Sequence, residues 1–125
     1  MREPINRFIK DLATPCDVQP SVLRFGLIDG RHPLPVDSYI FDSVEDVHDY
    51  TAIERRIRDW LHDNVIGTDV ERIVIYMTGL GTVVSSFLKM WSWATEYHDL
   101  PLMDLAHYDS FSDDYNIQHW NLMLE

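Results

Sequence analysis

The sequence predicts a single α/β domain whose elements follow the order β-β-α-β-α-β-β around a parallel β-α-β core. Three observations carry this reading. Residues 71–77 are a near-continuous apolar run rich in β-branched side chains, the pattern of a strand covered on both faces. Residues 83–98 then read as a helix apolar over most of its circumference, with Val83, Val84, Phe87, Leu88, Met90, Trp91, Trp93, Ala94 and Tyr97, so it is well buried or turns one face to a partner. Pro101 restarts the chain into a second apolar run at 102–108. A strand, helix and strand joined this way cross over right-handedly, so the two strands lie parallel with their C-terminal ends on one edge.

The remaining elements follow in chain order. Residues 1–20 carry Pro4, Pro15 and Pro20 and read as an N-terminal arm, with Ile5, Phe8, Ile9 and Leu12 spaced for one short helix; the domain proper is 21–125. Residues 21–28 alternate as a first strand, Asp29-Gly30 signals a turn, and 38–41 form a second strand that can pair with the first as a hairpin. Thr51 and Glu54 have the spacing of a capping box. Behind them Ile53, Ile57, Trp60 and Leu61 make an apolar stripe, Arg55, Arg56 and Arg58 a solvated face, and Asn64 and Gly67 supply stop signals. Residues 109–114 read as a turn and 115–124 as a final strand.

Composition narrows the function classes. At 125 residues the chain is one ordinary domain. It has 21 acidic and 10 basic side chains, a formal charge of −11, which argues against a nucleic-acid duplex as partner because phosphate binding scales with the Lys and Arg that neutralise it. No run of about 18 apolar residues is present, and the polar N-terminus lacks a signal pattern, so a soluble cytoplasmic protein without membrane contact is expected. The lone Cys16 excludes an intrachain disulfide and paired-thiolate zinc, and the six histidines lack ligand spacing, so neither metal nor cofactor is expected. After Lys89 there is no Lys or Arg at all.

The chemistry-bearing segment is Thr78-Gly79-Leu80-Gly81-Thr82, between the central strand and its helix. A glycine-interrupted turn there exposes amide hydrogens at a helix N-terminus, and with the helix dipole these form an anion site. Thr78, Thr82, Ser85 and Ser86 add hydroxyls, Lys89 a cation, and His107 on the neighbouring strand a general base or a contact to a base edge, with Asp109 as its orienter. A phosphate- or nucleotide-bearing ligand fits this set. The segment matches neither G-x-x-x-x-G-K-[ST] nor G-x-G-x-x-G, which argues against Walker-type ATPases and dinucleotide dehydrogenases. Structural readings compete at each position. Gly79 and Gly81 can serve helix–strand packing, His107 can be a hydrogen-bonded strand histidine, and Trp91 and Trp93 read as core and dimer-face residues. No Cys, Ser or Lys sits in a recognised nucleophile context, so binding is favoured over catalysis.

Strand–Thr-Gly-x-x-Thr–helix–strand, with Tyr76-Met-Thr-Gly-Leu80 at one end and His107-Tyr-Asp109 at the other, resembles the ligand-binding half of CRISPR-associated Rossmann-fold (CARF) domains, related ring-nuclease-like proteins and small phage-type proteins. The likeness spans residues 71–109; Leu80 and Val83 replace that family's second Gly and its Lys. It implies a Rossmann-like mixed sheet and a homodimer whose two loops enclose a cyclic oligonucleotide or another nucleotide-derived signal. In a phage it implies suppression of host defence, and any catalysis would be that of a small phosphodiesterase or ring nuclease. The alternative is an acidic inhibitor that mimics nucleic acid and docks on a basic protein, using Asp109, Asp113 and Asp114 as phosphate surrogates and Trp120 as an anchor.

Overall fold

The computed structural model describes residues 21–30, 34–77 and 80–121. The N-terminal arm, its short helix, and Thr78 and Gly79 lie outside the described residues. The elements are β1 (Val22–Ile28), β2 (Ser38–Phe41), α1 (Tyr50–Asn64), β3 (Arg72–Tyr76), α2 (Gly81–Tyr97), β4 (Leu102–Asp109) and β5 (Asp114–His119), in the predicted order. They form one five-stranded sheet, β2-β1-β3-β4-β5, in which β1 to β4 are parallel and β5 runs antiparallel to β4. The fold is Rossmann-like, with the expected parallel β3-α2-β4 core.

The strand pattern divides the sheet into two faces. Phe25, Leu27, Ile73, Ile75, Met103 and Leu105 point to one face and pack beneath both helices. Onto them α1 lays Ile53, Ile57, Trp60 and Leu61, the stripe read from its periodicity. From α2 come Val83, Phe87, Trp91 and Ala94, all essentially buried. Trp60 sits between Phe25 and Phe87, with ring centroids 4.8 and 6.1 Å away. Each such large apolar side chain contributes roughly 1.5–3 kcal/mol through burial. Trp91 is a core residue as expected, whereas Trp93 lies at the core's margin against Tyr97 and His98.

Three local expectations are corrected. β1 and β2 pair parallel, not as a hairpin: Phe25 aligns with Ser38 and Gly26 with Tyr39. The chain after β1 runs back along the sheet before β2 begins, anchored where Asp37 N–H donates to Arg24 O (2.7 Å) and Arg24 N–H donates to Asp37 Oδ2 (2.9 Å). Since β1 to β2 steps the opposite way from β2 to β3, right-handedness puts this connection on the face away from the helices. There Leu34 and Val36 pack with Val74, Tyr76 and Ala106. The cap of α1 is Asp49, whose Oδ1 accepts from Ala52 N–H (3.2 Å), so Thr51 already lies within the helix. β5 stops at His119, short of 124; beyond it Asn121 Oδ1 takes the Met103 N–H at 2.8 Å in place of a backbone carbonyl.

Candidate functional site

All four parallel strands end on one edge, where both helices begin. Strand order reverses there between β1 and β3, since the chain steps outward to β2 on one side and to β4 on the other. In open α/β sheets the crevice at this reversal is where ligands bind, because the connections diverge and leave a gap. Ile28-Asp29-Gly30 forms one lip and Tyr76-Met77 the start of the other.

At this crevice α2 begins without a side-chain cap. Leu80 takes the N-cap position in an extended conformation, and both Val83 and Val84 N–H donate to its carbonyl at 3.1 Å. The N–H groups of Gly81 and Thr82 have no acceptor among the described residues. They are the first-turn donors that a helix leaves unpaired. Gly81 is informative in a second way. A Cβ added there would meet no described atom within 4 Å beyond its immediate neighbours, and its φ is not in the left-handed region. Among the described residues, then, neither packing nor backbone conformation calls for glycine at position 81.

The other sequence-derived candidates scatter. Lys89 is bound to Glu54 of α1, with Nζ 3.0 and 3.2 Å from its two carboxylate oxygens, and so staples the helices together. Ser85 Oγ donates to Thr82 O (3.2 Å) inside the first turns of α2. His107 and Asp109 do not form the expected pair. His107 Nε2 lies 2.8 Å from Gln118 Oε1, while Asp109 accepts from Phe111 N–H at 2.9 Å and Asn116 Nδ2 at 3.4 Å. The Phe111 amide holds the Asp109 carboxyl below its ordinary pKa. Thr78 and Gly79 lie outside the described residues.

A cluster that sequence reading missed lies on the face away from the helices. Asp104, buried in β4, accepts at Oδ1 from Arg72 Nη1 of β3 (2.9 Å) and from His119 Nδ1 of β5 (2.6 Å). Register alone places Asp104 opposite His119, so the signal is a long-range pairing of strands with no local motif.

Electrostatically the C-terminal edge is acidic. Asp29, Asp42, Glu45, Asp46, Asp49 and Asp113 lie in its loops, whose described residues include no Lys or Arg; Arg31 lies outside them. Asp46 and Asp49 serve local turns, through His48 N–H (2.9 Å) and Ala52 N–H. A cleft of about 240 Å³ opens between the end of β2 and the start of α1, lined by Phe41, Val44, Asp46 and Ile53 among others. No group of three His, Cys, Asp or Glu side chains is arranged for a metal ion among the described residues, and no described helix is long and apolar enough to cross a membrane. No protein family, curated protein or solved structure matches this chain.

Proposed function

We propose that the protein binds a small nucleotide-derived ligand in the crevice between the C-terminal ends of β1 and β3, with an anionic group against the first-turn amides of α2. The observation that carries this reading is Gly81: it opens an uncapped helix at the strand-order reversal, in open space. A glycine that neither packing nor conformation demands allows close approach of a ligand to the backbone. A single anion at a helix N-terminus gains about 0.3–1 kcal/mol at an exposed site. The surrounding carboxylates set the rest of the ligand's chemistry. They repel polyphosphate chains and accept hydrogen bonds from ribose hydroxyls and base amino groups, favouring isolated phosphodiesters as in the cyclic oligonucleotides that the CARF-like resemblance implies.

Titration calorimetry against cyclic di- and tetra-adenylate, ADP-ribose and ATP tests it. Heat of binding is expected with a cyclic phosphodiester and not with ATP, and Gly81→Ala is expected to weaken it while the fold is retained. Absence of heat with all four compounds removes the proposal. Sedimentation with and without the bound compound reports whether two copies enclose it.

A further inference from the structure

We infer that the outer edge of β5 is a docking strand for an extended, basic segment of another protein, which adds to the sheet as a sixth strand. β5 has a single sheet neighbour among the described residues, β4. Trp120 N–H donates to Met103 O directly opposite, so the hydrogen-bonded pairs fall at Gln118, Asn116 and Asp114. The N–H and C=O groups of Ile117 and His119 therefore point away from the sheet, as does the Tyr115 C=O, while the Tyr115 N–H donates to Asp114 Oδ1 at 2.8 Å. Natural edge strands are blunted by Lys, Pro or bulges; β5 has neither Lys nor Pro and stays in unbroken register over six residues.

Apolar exposure and charge identify the occupant. Of the exposed large apolar side chains, Leu102, Tyr108, Phe111, Ile117 and Trp120 all belong to the β4–β5 hairpin and its end, with Phe111 at the turn fully exposed. Asp109, Asp113 and Asp114 flank them, and no Lys or Arg occurs from residue 90 onward. A strand that alternates Lys or Arg with β-branched residues meets this edge with main-chain hydrogen bonds, apolar contacts at Tyr115 and Ile117, and charge attraction at the turn. A second copy of this chain brings the same acidic hairpin with no Lys or Arg to neutralise it, so self-pairing sets like charge against like.

The test uses a fluorescein-labelled octapeptide alternating Lys and Val, its Glu–Val counterpart, and fluorescence anisotropy with the full chain. The Lys–Val peptide is expected to bind and to weaken by at least about tenfold between roughly 50 and 500 mM salt. Ile117→Pro removes an outward N–H and leaves the β4 ladder intact, and is expected to weaken binding by at least about tenfold. The double variant Asp113→Asn, Asp114→Asn removes both charges but keeps an amide oxygen at each position to accept from Tyr108 Oη and Tyr115 N–H, and is expected to weaken binding about fivefold; it decides the matter if the proline variant misfolds. Gly81→Ala should leave peptide affinity unchanged, which separates this edge from the crevice. No binding of the Lys–Val peptide, equal binding of the Glu–Val peptide, or indifference to salt overturns the inference. So does a dimer in sedimentation that Ile117→Pro dissociates, because it assigns the edge to a second copy.

Discussion

Replacing Asp104 by Asn tests how the antiparallel hairpin is held to the parallel sheet. The carboxylate is 8% exposed and accepts two charge-assisted bonds on one oxygen, from Arg72 at 2.9 Å and His119 at 2.6 Å. Such bonds contribute about 1.5–3 kcal/mol each when dry. Arg72 and His119 keep 35% and 58% of their side-chain surface in water, so they rehydrate partly when the carboxylate is lost. That places Arg72 near the bottom of the range and His119 below it, for about 2–3 kcal/mol in total. For a domain of this size the melting temperature should fall by about 6–12 °C. Urea unfolding followed by the fluorescence of the four tryptophans measures it. Arg72→Gln in the Asp104→Asn background should cost about 1 kcal/mol less than in the wild type, because its charged partner is already gone. Asp104→Leu should cost more than Asp104→Asn, since it leaves Arg72 and His119 with no acceptor, whereas the Asn amide oxygen can still accept from both. A loss below about 0.5 kcal/mol for Asp104→Asn, or strict additivity with Arg72→Gln, would refute the account.

Four further expectations concern other sites. A Cβ at Gly26 would lie 2.5 Å from two ring carbons of Tyr39 and 3.2 Å from Leu34, so Gly26→Ala should cost about 1–3 kcal/mol in urea unfolding, with much of it restored by Tyr39→Leu. Gly81→Ala should raise stability by up to about 1 kcal/mol, because the site is open and alanine is the better helix former; a loss of stability would show that glycine is required there. Tyr108 donates to Asp113 at 2.6 Å, and this bond raises its pKa above the ordinary phenol value. The bond therefore stabilises the hairpin below about pH 10 and is lost as pH rises through the folded-state value. In a titration of tyrosinate absorbance, Asp113→Asn should shift one tyrosine downward, and an unchanged curve counts against the bond. Asp109 has the opposite sign: its lowered pKa gives stability above the ordinary carboxyl value of about 4 that fades as acid protonates it.

Legibility from sequence follows the range of the interactions. The α1 stripe and the buried β3 run are readable because each is a local pattern that a buried surface imposes, whereas α2 reads as apolar over most of its circumference and its core face emerges only on packing. The β1–β2 pairing is not, since Asp29-Gly30 signals a chain reversal whether the next strand returns antiparallel or the chain first travels back along the sheet. What decides it is a tertiary contact, Leu34 and Val36 against Val74, Tyr76 and Ala106. The cap of α1 lies two residues before the expected one because Asp49 and Thr51 both have cap chemistry, and only the backbone turn at Asp49 selects between them. Local pattern places the β3-α2-β4 unit well enough to put the 80–82 segment at the C-terminal edge of the sheet, yet Lys89 and His107 turn elsewhere. A Lys within reach of a Glu on the packed neighbouring helix is claimed by it, and a strand histidine is claimed by the residue across the ladder.

Charge and local dipoles together decide what kind of ligand each surface can take. The molecule carries a net charge of −11, so the anion proposed for the crevice depends on local dipoles that oppose it, and among the described residues the uncapped start of α2 supplies such dipoles. The β5 edge carries carboxylates at its turn and outward-facing backbone groups at Ile117 and His119, so its proposed occupant is a cationic segment that can also pair as a strand. Salt separates the two surfaces experimentally. Screening weakens attraction of a basic peptide to the hairpin, whereas it lessens repulsion of an anionic ligand from the crevice. Raising ionic strength should therefore move the two affinities in opposite directions, and parallel movement would mean that one of the two surfaces has been assigned the wrong sign of partner.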